Sequence, residues 1–353
     1  MKRLILEKEA IKKNLSVIKE KAGGAAIYAV LTGDAYGAGL VEMAKLLRDE
    51  GIGRFAISEP EEAEKLRKAG FVDEEILMLR STTDREELEK LMDLNVICTI
   101  GSYEAGVALN GIAEGRATVA EAHIQVDTGM GFGGFLSSEP DKILSMYRYL
   151  PNVALSGIYT QMHAAAGGER GAQVQLTELG QVLDFIHDAG FETGVVHAAG
   201  SYALMHYDFA RLDGVRVGSA ILGRGRGGRN LTKVGYGEAA LEEIRWLPKG
   251  HTVGNDKLIT LKKPTRVAVL PVGYQNGFGL DMNRGGGLWA ALRRWRRSRN
   301  MTVRLGSQRV KVLGKVGAIE TLLDVTELKC APGDLVTFDI DPLLAKGLKK
   351  EFR

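Results

Sequence analysis

The residues of this sequence that could do chemistry gather at a few places. Thr32, Asp34 and Tyr36 follow one β-branched run, and the segment DTGMGFGGF, Asp127 to Phe135, follows another. Gln161 and His163 come after a third run, and His197, Gly200 and Ser201 after a fourth. A last segment, LDGVRVGSAILG, carries Arg216, Gly218 and Ser219. Hydroxyls, glycine amides and an arginine inside an apolar run suit a phosphate-bearing ligand, whose oxygens accept from such donors at close backbone approach. Taken singly, Asp127 also reads as a turn or cap residue, Tyr36 as a packed aromatic and His197 as a satisfied strand-end histidine. Arg216 resists that reading, because a buried guanidinium needs acceptors. Other chemistries lack their residues. The six histidines have no HExxH or comparable metal spacing, so no metal is expected. There is no GxSxG elbow and no P-loop, and Gly33, Gly37 and Gly39 do not form a GxGxxG fingerprint.

The elements that must position these groups alternate between short strands and amphipathic helices. The spacing predicts strands at Ala26–Leu31, Arg54–Ser58, Glu75–Leu79, Val96–Ile100, Ala122–Val126, Ala154–Thr160, Gly194–His197 and Gly214–Ile221. Between them, segments such as Leu40–Asp49, Glu59–Ala69 and Ala172–Ala189 repeat their apolar residues every three or four positions. Eight strands with helical crossovers in about 220 residues match a (β/α)8 TIM barrel, whose reactive groups occupy the loops after the strands. The candidate residues fall at those positions. An open doubly wound sheet is the alternative. Beyond GRGRGGRN at 223–230 the helical period is lost, and runs such as Thr265–Leu270, Arg309–Leu313 and Leu335–Ile340 read as short strands. The expected organisation is an α/β barrel over residues 1–228 followed by a smaller, mainly β domain over 229–353.

Composition narrows the partners. Lys and Arg total 47 against 44 Asp and Glu in 353 residues, and a net charge of +3 gives no reason to invoke nucleic acid or a membrane surface. The basic run Arg293–Arg299 reads as one solvated helix face on an inserted loop. Two cysteines, Cys98 and Cys330, cannot build a disulfide framework, so a cytoplasmic setting is expected. No apolar run approaches the ~20 residues of a membrane span, and no signal-peptide pattern opens the chain. Glycine is the unusual count, 45 residues without a triplet or low-complexity tract, which places many of them at strand–helix junctions.

Five ordered segments together resemble the alanine racemase family, the fold type III pyridoxal-phosphate (PLP) enzymes. They are AVLTGDAYGAG at 29–39, IQVDTGMG at 124–131, HAAGSYA at 197–203, LDGVRVGSAILG at 212–223 and VLPVGYQNGFG at 269–279. The resemblance implies a PLP pocket at the barrel mouth, shared across a head-to-tail homodimer, in which the cofactor is an electron sink for an α-carbanion of a small amino acid. In the family one lysine holds PLP as a Schiff base and works on one face, and a tyrosine of the partner's C-terminal domain works on the other. That tyrosine corresponds to Tyr274. The arginine facing the pyridine nitrogen corresponds to Arg216. The phosphate contacts correspond to Tyr36, Ser201 and the amide around Gly218.

The same resemblance exposes departures. The Schiff-base lysine position is Thr32, which cannot condense with an aldehyde or replace an amine base. The lysine that buttresses the substrate-side arginine is Gln125, and that arginine is Phe132. The histidine stacked on the cofactor ring is Gln161, with His163 two positions on as a group that could reach inward. The Met–Asp pair near the substrate carboxylate is Ala318–Ile319, and the tail KGLKKEFR has no clear phosphate-contacting tyrosine. The sequence therefore implies a racemase-family protein whose own PLP-dependent racemisation is lost or severely weakened, with any PLP held non-covalently. Two alternatives remain. One is a non-catalytic barrel binding PLP or another phosphorylated small molecule, and the other is a different isomerase- or lyase-type reaction using Tyr274 and His163.

Overall fold

The computed structural model describes residues 1–163, 168–224, 230–254, 259–280 and 302–353. They form two compact units, one from Glu9–Lys233 and one from Met1–Lys8 with Val234–Arg353. The basic run Arg293–Arg299 and residues 225–229 of the Gly/Arg-rich stretch lie outside the described residues.

The first unit is a barrel of eight parallel strands in sequence order: Ala26–Val30, Arg54–Ile57, Glu75–Met78, Cys98–Ile100, Ala120–Asp127, Val153–Thr160, Val195–Gly200 and Gly214–Val217. The last strand pairs back with the first, setting Arg216 opposite Tyr28. Between the third and fourth strands the ladder thins to Met78 N–H on the Ile97 carbonyl (2.9 Å) and Ile97 N–H on the Ile76 carbonyl (2.8 Å). Helices cover the outside, so strand residues on both faces are buried. Along Ala120–Asp127 the alternation sends Ala122, Ile124 and Val126 to one face and His123, Gln125 and Asp127 to the other. The helices start where their caps dictate. Pro60 opens Pro60–Lys68 behind a Glu59/Glu62 capping box, and the Asp84 and Ser102 side chains accept from the Glu87 and Ala105 amides. The eighth strand ends at Val217, four residues earlier than the spacing predicts, because the chain turns there to aim the amides of Gly218 and Ala220 at Ser201.

The second unit is a sheet whose strand order is Ile244–Leu247, Thr265–Leu270, Thr321–Asp324, Gln308–Leu313, Val303–Leu305, Leu335–Asp339, Tyr236–Ala240, Lys2–Leu6 and Lys349–Phe352. Residues 2–6, assigned from sequence to the barrel domain, are thus a strand of this β unit. Their KRLIL run ends in three buried apolar residues, but its partners lie more than two hundred residues further on. Arg3 and Arg353 both reach the buried Glu238 carboxylate, at 2.8 and 3.0 Å, which offsets its desolvation. No helix among the described residues is long and apolar enough to cross a membrane.

Within the barrel unit one buried side chain ties the first helix, Lys8–Ala22, to the chain beyond the last strand. Asn14 donates to the carbonyls of Ile221 (3.0 Å) and Thr232 (2.7 Å) and accepts from the Thr232 amide (2.7 Å). Asn14→Ala leaves three backbone groups unpaired in a buried place. The expected cost is about 2–3 kcal/mol, read as a lower urea midpoint at unchanged slope.

Candidate active site

The loop after the first strand is built against ordinary backbone preference. Gly33, Asp34 and Ala35 have φ of 63°, 59° and 55°, and Tyr36 follows at 54°, a full left-handed turn. For the three non-glycine residues this costs about 1–2 kcal/mol each. Local hydrogen bonds offset it. Asp34 accepts from the Leu40 amide at 2.8 Å, and the Gly37 amide returns to the Gly33 carbonyl at 2.9 Å. The buried Glu62 carboxylate holds the Ser58 and Glu59 amides alongside. The turn lays the Tyr36 ring on Gly218: a Cβ there would stand 2.3 Å from the ring and 2.6 Å from its hydroxyl. Burial raises the Tyr36 phenol, and a hydrogen bond with the Thr32 side chain works the other way. Ser201 closes the group, its Oγ accepting from the amides of Gly218 (3.1 Å) and Ala220 (3.2 Å). Thr32, Tyr36, Ser201 and Gly218 therefore form one cup of hydroxyls and amides at the C-terminal ends of the strands, the face where barrel chemistry sits.

Below the cup lies Arg216, 4% exposed. Its Nη1 faces His197 Nδ1 at 2.6 Å and the His197 carbonyl at 3.1 Å. Its Nη2 donates to the Thr160 carbonyl at 2.7 Å and to Gln161 Oε1 at 2.9 Å, and the guanidinium lies 4.7 Å from the Tyr159 ring. All these acceptors are neutral. Among the described residues no carboxylate bridges to Arg216, and burial alone pushes its pKa down to about 10. Its Nε–H has no acceptor among the described residues. Behind Arg216, His197 Nε2 meets His123 Nδ1 at 2.9 Å.

The other candidates are placed differently. The His163 ring donates Nε2–H to the Gly129 carbonyl at 2.6 Å, and its amide rests on Gln175. Asp127 caps the amides of Gly129, Met130 and Gly131, so its carboxylate shapes the loop. Phe132 projects from that loop, 79% exposed, and the neutral Gln125 is buried beside Gly101 and Gly134. In the β unit the Tyr274 amide binds the Gly317 carbonyl (2.9 Å) and the Gln275 amide the Ala318 carbonyl (3.0 Å), which holds Tyr274 beside Ala318 and Ile319. The Tyr274 side chain is 50% exposed. The candidate list drawn from sequence omits His123 and Gln175. His123 was legible in principle, because the strand period puts it on one face with Gln125 and Asp127. Gln175, on the helix Gly168–Asp188, carries no such signal, yet it donates to Thr128 (3.0 Å) and the Gln161 carbonyl (3.2 Å).

Two family models match, the alanine racemase N-terminal domain over residues 6–225 and its C-terminal domain over residues 236–342. The chain belongs to the alanine racemase family. An alanine racemase of Carboxydothermus hydrogenoformans is 32% identical over 296 residues, which is 81% of this chain and 79% of the relative. One from Clostridium tetani is 28% identical over 327 residues, 90% and 80% of the two chains. Among solved structures, the alanine racemase of a D-cycloserine-producing Streptomyces lavendulae superposes with a TM-score of 0.85 at 19% identity, covering 100% and 97% of the chains. That of Bartonella henselae, with covalently bound pyridoxal phosphate, gives 0.83 at 20% identity over 100% and 99%. The barrel followed by a β domain is the alanine racemase fold.

The histidines beneath Arg216 make the barrel acid-sensitive. Burial lowers the His123 pKa from 6.5 to about 4, and lowers that of His197 in the same direction. Below pH 6.5 the unfolded chain takes up protons that the folded barrel refuses. Stability is full above 6.5 and falls as pH drops from about 6.5 to 4, by about 3 kcal/mol for His123 with a further loss from His197. Urea unfolding across that window measures it, and a flat profile contradicts a neutral pair. Gly218→Ala, by contrast, drives a methyl into the Tyr36 ring, and the expected result is a displaced ring and a urea midpoint lowered at unchanged slope.

Proposed function

We propose that this alanine-racemase-family protein holds pyridoxal 5′-phosphate without a covalent bond and that its own racemisation is lost or severely weakened. The observation that carries the binding half is Arg216, a buried guanidinium that among the described residues has only neutral partners and one N–H unused. A ligand atom with a lone pair, such as a pyridine nitrogen, fits that N–H, and a phosphate fits the Ser201, Tyr36 and Gly218 cup. The covalent half does not fit, because Thr32 offers a hydroxyl where condensation with an aldehyde needs an amine. When bound, the cofactor supplies an electron sink for negative charge beside an amino group.

The chain's own residues favour holding over turnover. Thr32 at an ordinary hydroxyl pKa is no base for a carbon acid at neutral pH. Gln125, Phe132 and Ile319 put no cation where the family's substrate carboxylate is met, so an amino acid is a weak ligand there. Tyr274 keeps the acid–base group of the opposite face, and the reading includes a head-to-tail homodimer that would bring it to a neighbouring barrel mouth. The His163 ring must leave the Gly129 carbonyl before it can serve as an acid or base, which is why binding without chemistry ranks ahead of a new reaction using His163 with Tyr274. The reading places the protein in the cytoplasm, consistent with two unpaired cysteines, Cys98 and Cys330.

Titration with pyridoxal 5′-phosphate should show saturable binding, and borohydride treatment of the complex should leave the protein's mass unchanged. Exchange of D- and L-alanine should stay at background. Thr32→Lys should gain the mass of the reduced cofactor. Brisk racemisation, or a borohydride adduct on the unaltered chain, would overturn the reading.

A further inference from the structure

We infer that His123, remote from the cup, is the positioning residue that sets Arg216: it accepts the His197 proton and so fixes the tautomer in which His197 accepts from Arg216. A guanidinium has donors only, so His197 Nδ1, 2.6 Å from Nη1, presents a lone pair. The single proton of a neutral His197 is then on Nε2. That nitrogen lies 2.9 Å from His123 Nδ1, which must also present a lone pair, leaving the His123 proton on its own Nε2. The reverse assignment would press N–H against N–H at Arg216. Both rings are neutral because burial disfavours their charge. At His123 the Glu75 carboxylate works against burial and outweighs the repulsion from Arg216, yet burial still wins; at His197 Arg216 adds its repulsion to burial.

The geometry leaves the pair little freedom. His197 is stacked between Tyr28, at 5.3 Å and 19°, and Tyr159, at 4.8 Å and 21°. Tyr28 is itself buried in the barrel and lies edge-on to the His123 ring, with centroids 6.3 Å apart. The His123 ring fits only because residue 157 is glycine, since a Cβ there would stand 2.7 Å from ring atoms Cε1 and Nε2. With Nη1 and Nη2 engaged by neutral acceptors, the Arg216 Nε–H is the donor left for a ligand. This last step rests on the proposed function; the tautomer assignment does not.

Nitrogen NMR of the full-length protein labelled in its histidines tests the assignment directly. The expected spectrum has His197 protonated at Nε2 and bare at Nδ1, with scalar coupling across the hydrogen bond to His123 Nδ1. A proton on His197 Nδ1, or no coupling, overturns the inference, and this measurement needs no variant to fold. Two variants then read the consequence. His123→Leu, which removes the acceptor, should weaken pyridoxal 5′-phosphate binding about tenfold, the scale of one buried hydrogen bond, and leave inorganic phosphate binding unchanged. His123→Asn, which restores an acceptor oxygen, should recover most of the loss. Equal losses for both ligands, or none for either, would count against a positioning role. Absence of any pyridoxal 5′-phosphate binding by the unaltered protein would defeat the proposed function instead, and the NMR result would still decide the role of His123.

Discussion

A guanidinium buried without a counter-ion among the described residues organises this barrel. Taking a charge out of water costs several kcal/mol, and Arg216 recovers that cost from carbonyls, an amide, an imidazole and an aromatic face. Each of those acceptors has to be held in place by something else. Thr160 and Gln161 are fixed through Thr128 and Gln175, and His197 through His123 and two tyrosine rings. The polar interior of the barrel is therefore one connected arrangement, and it would be costly to leave half satisfied.

The cup above it follows a different logic, that of backbone strain held by packing. The left-handed turn from Gly33 to Tyr36 persists because Asp34, Glu62 and the following helix tie it down, and because Gly218 leaves a flat place for the Tyr36 ring. Nothing in that construction requires a lysine at position 32. Thr32 contributes only a hydroxyl toward the Tyr36 phenol, so the turn stands on packing and on its own local hydrogen bonds.

Much of this was legible in the sequence, and the reasons differ by element. The barrel strands are β-branched runs bounded by glycine and helix caps, so their existence and order follow from local pattern, with ends shifted by one to four residues. Thr32, Tyr36, Ser201 and Gly218 stand out because they sit just past strand ends, and Arg216 because it is a guanidinium inside an apolar strand. Three things escaped that reading. The strand Lys2–Leu6 pairs with segments more than two hundred residues away, and no local signal reports a partner at that distance. His163 looked inward by proximity alone, whereas the Gly129 carbonyl takes its proton. His123 looks like an ordinary strand residue until the barrel closes and brings it within 2.9 Å of His197.

The position of that first strand bears on how the chain is made. Lys2–Leu6 lies between Tyr236–Ala240 and Lys349–Phe352, antiparallel to one and parallel to the other, and the Arg353 amide closes on the Leu6 carbonyl at 3.0 Å. During synthesis the barrel segment, which is continuous, emerges complete while its leading residues still lack both neighbours. Residues 2–6 are thus made before the barrel strands and placed after them. The β unit therefore gathers segments made more than two hundred residues apart, and its sheet is complete only once residues 349–352 have been made.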